Sequence, residues 1–159
     1  APSALVGVAS AKTVISGVSL AAAEALWYDR ERWPLFIDGF HSVVSVTGEP
    51  PLAGSSVLWR STPAGRGEVR ETVIDYRPGV GQELEVEDGA ISGRQSVDFS
   101  VEANQLRVQL ELDYRLKGRS PLRAVTDWLF IRRAQSESLQ RTLTGFRLEL
   151  EAQREESEN

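Results

Sequence analysis

Leu106-Arg107-Val108-Gln109-Leu110-Glu111-Leu112-Asp113-Tyr114-Arg115-Leu116 alternates apolar and polar residues without a break, and Ser120-Pro121 follows it. Strict period two over such a length describes a half-buried β-strand with its apolar side facing a core. Serine followed by proline describes a helix start, with Ser120 as N-cap and Pro121 at the first helical position. From Pro121 to about Glu151 only Gly145 interrupts a helical pattern. About 30 helical residues span roughly 45 Å, against about 20 Å for an ordinary strand. A long helix laid across an antiparallel sheet is the expected core of this chain.

Working upstream, Val97, Phe99 and Val101 alternate with Ser96, Asp98, Ser100 and Glu102, and Asn104-Gln105 turns the chain into the strand quoted above. Earlier strands are expected over Gln82 to Asp88, Glu68 to Tyr76, Ser55 to Ser61 and Phe40 to Thr47. Pro78-Gly79, Pro63-Ala64-Gly65-Arg66-Gly67 and Gly48-Glu49-Pro50-Pro51 separate them as turns. Short turns between alternating strands make an antiparallel meander. Ahead of it, Ala11 to Val18 reads as a first strand. Ser19 then caps an Ala-rich helix from Leu20 to about Asp29. Trp33-Pro34 breaks that helix, a short helical turn continues through Phe36 and Ile37, and Gly39 ends it. The fold class is therefore α+β: a curved antiparallel sheet of six to seven strands wrapped around a long C-terminal helix, with two short helices after the first strand.

A chain of 159 residues is expected to form a single domain over 1–159, with residues 1–10 flexible and 152–159 a fraying tail. There is no cysteine and one histidine, His41. That removes disulfides and thiolate catalysis and argues against a zinc site, so no metal and no cofactor is expected. The net charge of −5 argues against a nucleic-acid partner. Arginines are interleaved with acids and read as solvated surface. With no long apolar run and no basic leader at the N-terminus, the expected setting is cytoplasmic, without membrane contact, as a monomer or homodimer.

On a helical wheel Val125, Trp128, Leu129, Leu139, Leu143, Phe146 and Leu150 form one stripe, and Glu137, Arg141, Arg147 and Glu151 lie away from its centre. Arg132 falls in mid-stripe with Ser136 beside it. An unpartnered buried guanidinium is very costly, and removing one member of a buried pair costs about 3–5 kcal/mol. Either the helix lifts there and Arg132 reaches solvent, or the middle of the helix roofs a cavity with Arg132 as its polar anchor. Glu71, on the same strand face as Val69 and Val73, is the expected partner.

The order of elements resembles the SRPBCC superfamily, the helix-grip fold of the birch-pollen allergen, START lipid-transfer domains and polyketide cyclase/dehydrase-like proteins. The resemblance covers nearly the whole chain. It is carried by Val14-Ile15-Ser16-Gly17-Val18-Ser19-Leu20 with Glu24-Ala25-Leu26-Trp27, by Asp29 through Arg32-Trp33-Pro34 to Gly39, by Gly54-Ser55-Ser56-Val57-Leu58-Trp59, by Asp75-Tyr76-Arg77-Pro78-Gly79, and by Leu143 to Glu149. These motifs specify fold far better than function. The resemblance implies a cavity between sheet and long helix, with Trp33 and Phe36 at its mouth and Trp59, Tyr114 and Trp128 on its walls.

The sequence holds no complete catalytic motif. His41 lies at a strand start with no obvious Asp or Ser partner in a general-base arrangement, and reads as a surface histidine. The glycine-rich stretch from Pro63 to Gly67 lacks the lysine, hydroxyl and helix of a phosphate loop. Glu71, Arg132 and Tyr114 are the candidates for chemistry: an apolar pocket would raise Glu71 into the range of a base, whereas Arg132 beside it would keep it ionised. The expected function is binding or carriage of a small hydrophobic or amphipathic molecule, with ligand contacts from Trp33, Phe36, Trp59, Glu71, Phe99, Tyr114, Trp128, Arg132 and Ser136. The alternatives are a cyclase/dehydrase-type enzyme acting on an aromatic or polyketide-like substrate, and a lipid or quinone chaperone with an exposed apolar patch near Trp33 and Phe36.

Overall fold

The computed structural model describes residues 5–63, 65–117 and 121–159, with the side chains of 121–129 excepted. Ser120, Val125, Trp128 and Leu129, as cap or wheel positions, fall outside those bounds.

The chain runs β1 (Val6–Ser16), α1 (Leu20–Trp27), a 3-10 helix (Arg30–Leu35), β2 (Phe40–Thr47), β3 (Ser56–Ser61), β4 (Glu68–Arg77), β5 (Gly81–Glu87), β6 (Ile91–Glu102), β7 (Gln105–Leu116) and α2 (Pro121–Glu158). The strands form one curved antiparallel sheet in the order β1-β7-β6-β5-β4-β3-β2. β2 through β7 are a meander, and β1 closes the far edge on β7, with Val6 opposite Arg115 and Ser16 opposite Gln105. The alternation of the opening stretch is realised in full: every second residue of β7 from Leu106 to Leu116 is buried, and its polar neighbours are exposed.

Several boundaries differ from expectation. β1 begins at Val6, not Ala11, so residues 6–10 are strand. The inward residues of its first half are Gly7, Ala9 and Ala11, too small to give an apolar signal, and α2 packs chiefly along this strand. Ala9 and Ala11 let the helix backbone approach closely, and the Tyr114 ring lies over Gly7, where a Cβ would meet its hydroxyl at 2.5 Å. α1 ends at Trp27, two residues short of Asp29, which instead caps the 3-10 helix by accepting from the Glu31 N–H at 3.1 Å. β6 begins at Ile91. The tail does not fray at 152: α2 continues to Glu158, and Arg154 donates to the Ser16 carbonyl at 2.6 Å, tying the last turns to the end of β1.

Local chemistry fixes the connections. Ser19 Oγ accepts from the Ala22 N–H at 3.1 Å, the N-cap read from sequence. Trp33 Nε1 donates to the Trp27 carbonyl at 2.9 Å, folding the 3-10 helix against the end of α1. Gly145 on α2 meets the Phe36 backbone, where a Cβ would stand 3.2 Å from it. The one break in the helical pattern is therefore where the 3-10 segment docks.

Two buried clusters result. The larger joins β1, β6, β7, α1 and α2 through Leu106, Val108, Leu110, Leu112, Leu143, Phe146 and Leu150. The smaller holds Val57, Trp59, Val69 and Val86 of β3, β4 and β5. Trp33 and Ile37 touch both.

Candidate functional site

Between those clusters lies a cavity. Its sheet wall is Val57 and Trp59 of β3, Glu71 and Val73 of β4, Gln82 and Leu84 of β5, Gln95 of β6 and Leu110 of β7. Gln135, Ser138, Leu139 and Thr142 of α2 face it, and Trp27, Tyr28, Arg30, Trp33, Ile37 and Asp38 form the side toward the 3-10 helix. The atom-free space is about 840 Å³, part of it continuous with solvent, and the centre of a water molecule can occupy about 70 Å³ of it. It is narrow, largely aromatic and aliphatic, and carries a few polar groups, as small-molecule sites do.

Strand geometry places the principal polar group. Glu71 is directly opposite Val57, and Trp59 is opposite Val69, so Glu71 and Trp59 are diagonal neighbours on the inner face. Val69 and Val73 on that face are buried, and a bulge after Val73 ends the alternation. The accessible part of the Glu71 side chain faces the cavity. Burial pushes its carboxyl above the usual carboxylate range; the Trp59 indole N–H and the Arg66 charge oppose that shift in part. Trp59 Nε1 is near enough to favour the ionised carboxyl, yet it forms no bond of hydrogen-bond geometry.

Arg66 reaches the same end from the β3–β4 connection. Its Nε donates to Asp88 Oδ2 at 2.8 Å, and its guanidinium lies over the Trp59 ring, 5.6 Å from the centroid. Asp88 is itself fully employed. Its side chain is 2% exposed, and Oδ1 accepts from the Ala90 and Ile91 N–H groups at 2.8 and 2.9 Å, shaping the β5–β6 turn. A second Arg66 nitrogen, Nη2, is buried without a hydrogen-bond partner.

The helical side is fastened at Asp38. Its backbone N–H donates to Thr142 Oγ1 at 3.0 Å, and its carboxylate accepts from Ser138 Oγ at 2.9 Å and from Arg141 Nε and Nη2 at 3.0 and 3.2 Å. At another point Tyr28 lines the cavity with a buried, unbonded hydroxyl. Its pKa is raised by burial first and then by Tyr76, Glu24 and Asp98. Among the described residues five buried side-chain polar atoms make no hydrogen bond, and three of them, Tyr28 OH, Trp59 Nε1 and Arg66 Nη2, belong to residues lining this one cavity.

Of the residues singled out in the sequence, Trp33, Trp59 and Glu71 line the cavity. Phe36 and Phe99 do not; they are buried in the larger cluster, where Phe36 stacks with Trp27 and Phe146 and Phe99 meets Trp27 and Tyr28 edge-on. Tyr114 is buried in that cluster too, its hydroxyl unbonded and its pKa raised by burial against the opposing charge of Arg132. Glu71 and Tyr114 therefore sit in separate places, and the cation acting on Glu71 is Arg66. Arg132 is exposed, Ser136 is half-buried, and Gln135 is the polar side chain that turns inward there. The buried edge of α2 at that level follows Ile131, Gln135 and Leu139, one position away from Arg132 and Ser136. The side chain of Trp128 lies outside the described residues. Sequence reasoning missed Arg66, Asp88, Asp38, Tyr28 and Gln135. The i, i+4 spacing of Ile131, Gln135 and Leu139 was an available signal for the last; nothing local reveals that Arg66 folds inward.

Among the described residues no group of three or more Asp, Glu or His could hold a metal ion, and no helix is long and apolar enough to cross a membrane.

No family model matches the sequence, and no curated protein matches it. Solved structures do resemble it. The TTHA0849 protein of Thermus thermophilus superposes with a TM-score of 0.70 at 17% identity, over 92% of this chain and 98% of that one. A START superfamily protein from Mycobacterium smegmatis gives 0.65 at 11% identity, over 91% and 97%. Truncated norcoclaurine synthase from Thalictrum flavum gives 0.57 at 13% identity, over 79% and 92%. At such identities the likeness establishes the fold alone, the helix-grip arrangement of a curved antiparallel sheet around a long C-terminal helix, and leaves the ligand open.

Proposed function

We propose that the chain binds a small apolar or amphipathic molecule between its sheet and α2, as a binding or carrier protein. The observation that carries this reading is the gathering of three unbonded buried polar atoms on one cavity. A buried donor or acceptor without a partner costs about 1–3 kcal/mol, and folded proteins hold few of them. Collected around a void walled by Trp27, Trp33 and Leu139, they are groups that a ligand would satisfy. The test is native mass spectrometry of protein purified from its own host, together with titration of the apolar dye Nile red. Leu84 is half-buried on the lining, so Leu84→Trp fills the space without emptying the core. The reading expects a small-molecule adduct and saturable dye binding, both lost in Leu84→Trp. Dye binding indifferent to that substitution would sink it.

One observation favours a second reading, an enzyme of cyclase/dehydrase type on an aromatic or polyketide-like substrate. The Glu71 carboxyl is raised in a largely apolar cavity, and an ionised carboxylate so placed is a stronger base than one in water. That reading expects turnover to vanish in Glu71→Gln while binding persists. The membrane-chaperone reading has less behind it, because Phe36 points into the core and Trp33 is half-buried, leaving Leu35 as the exposed apolar side chain between them.

A further inference from the structure

The Glu71 end of the cavity has a definite hydrogen-bonding demand, and the demand discriminates between ligand classes. Two donors there lack acceptors, Trp59 Nε1 and Arg66 Nη2. Beside them is one carboxyl, and Glu71 accepts no bond of ordinary geometry from Trp59. Trp59 is 1% exposed, so bulk water does not satisfy its N–H. What fits is a group that gives one hydrogen and accepts one or two. Of the common small groups, a hydroxyl has that inventory.

Charge separates it from its rivals. The Arg66 guanidinium is already matched by Asp88 at 2.8 Å. A carboxylate ligand would be a third anionic group, after Asp88 and Glu71, around one cation, and desolvating it there would be costly. The other guanidinium of the lining, Arg30, comes from the 3-10 helix and not from this wall; the remaining carboxylate, Asp38, is held by Arg141. An ammonium ligand would suit Glu71 but would face two N–H donors and leave both unbonded. A neutral hydroxyl donates to the Glu71 carboxyl and accepts from both N–H groups without adding a charge. The walls set the rest of the molecule. The lining is rich in aromatic side chains, Trp27, Trp33 and Trp59 among them, and an aromatic ring packs favourably against such groups.

We infer that the Glu71 end of the cavity receives the hydroxyl of a neutral, planar aromatic ligand, which donates to Glu71 and accepts from Trp59 Nε1 and Arg66 Nη2. The inference rests on the reading of the cavity as a binding site.

The test uses the whole chain and four ligands of one shape: naphthol, naphthalene, naphthoate and naphthylmethylammonium, followed by the fluorescence of the naphthyl ring near neutral pH. Naphthol is expected to bind about tenfold or more tighter than naphthalene, the factor for hydrogen bonds of this kind, and tighter than either ion. In Glu71→Leu, and independently in Trp59→Phe, the naphthol-to-naphthalene ratio is expected to fall to near one. In Arg60→Ala, on the outer face, it stays at the wild-type value. Tightest binding of naphthoate or naphthylmethylammonium would overturn the hydroxyl assignment while leaving the cavity reading standing, as would a naphthol preference that survives in both variants. Failure of all four compounds to bind would remove the cavity reading itself, and the inference with it.

Discussion

The inner face of the sheet is finished in two different ways. Under β1, β6 and β7 it is filled. Leucine, valine and phenylalanine side chains interlock with Leu143, Phe146 and Leu150 of α2, and the rings of Trp27, Phe36 and Phe146 meet at tilted and edge-on angles with centroids 5.2–5.5 Å apart. Under β3, β4 and β5 it is not. Val57, Trp59, Val69 and Val86 make a small cluster, and beyond it a carboxyl and unbonded donors face a void. Both halves obey the same period-two pattern. The difference arises in β1, whose Gly7, Ala9 and Ala11 draw α2 toward that edge, so the helix fills one half and roofs the other. A sheet can thus be rigid where it supports and open where it binds, provided the helix is placed off-centre.

The largest expected effect tests the filled half. Phe146 is fully buried and touches Trp27 and Phe36. Phe146→Ala is expected to cost about 3–5 kcal/mol in denaturant unfolding. Leu84→Ala, on the cavity side, removes a half-buried side chain beside a space already empty, and is expected to cost about 1 kcal/mol. Equal losses at the two positions would erase the contrast between the halves.

Next in size is the support of the cavity's polar end. Asp88→Ala removes two backbone acceptor contacts and the partner of Arg66. Breaking a buried pair costs about 3–5 kcal/mol; because Arg66 keeps some solvent contact, about 2–3 kcal/mol is expected. Asp88→Asn retains an acceptor for the turn and should recover part of it. A pair that served only the surface would show neither the loss nor the partial recovery.

Glu71 is expected to behave with the opposite sign. Its folded pKa is raised, chiefly by burial, so between the usual carboxylate value and the raised one the native state holds more protons than the unfolded state. Stability contributed by the protonated carboxyl is then present at low pH and falls as pH climbs through that window. Glu71→Leu should flatten this part of the stability-versus-pH profile. Near neutral pH it should leave the protein as stable as wild type or about 1 kcal/mol more so, since replacing a buried ionisable group by a hydrocarbon is often neutral or favourable. A variant with the wild-type pH slope would move the responsibility to another group.

How much of this was legible before the structure follows from range. The alternation of β7, the Ser19 cap and the long α2 depend on neighbours in sequence; the first two are found as read, and the helix runs on to Glu158, past the end near Glu151 that its pattern gives. β1 was half-missed because its signal is written in glycine and alanine, residues chosen for what lies across from them. The same holds at the site. Glu71 could be placed on the inner face from Val69 and Val73 alone. Its cation could not: Arg66 sits in a glycine-rich turn, and only Asp88, 22 residues away, bends it inward. Arg132 looked central because the wheel weights all apolar positions alike, whereas in the structure the buried edge at that level runs through Ile131, Gln135 and Leu139.

The smallest expected effect compares two arginines that differ in the face they take. Arg60 lies on the outer face of β3, 3.4 Å from Glu68, with both side chains more than half exposed. Water already solvates the pair, and ordering two long side chains offsets most of the attraction, so Arg60→Ala should change stability by less than about 1 kcal/mol and should lose even that in high salt. Arg66 carries the same charge six positions later. It is held at 2.8 Å by a carboxylate that is 2% exposed, and it stacks on Trp59, so salt should scarcely screen it. If Arg60→Ala and Arg66→Ala proved equally mild and equally salt-sensitive, Arg66 would be a surface residue in solution. The polar end of the cavity would then lose the cation that distinguishes it from the filled half.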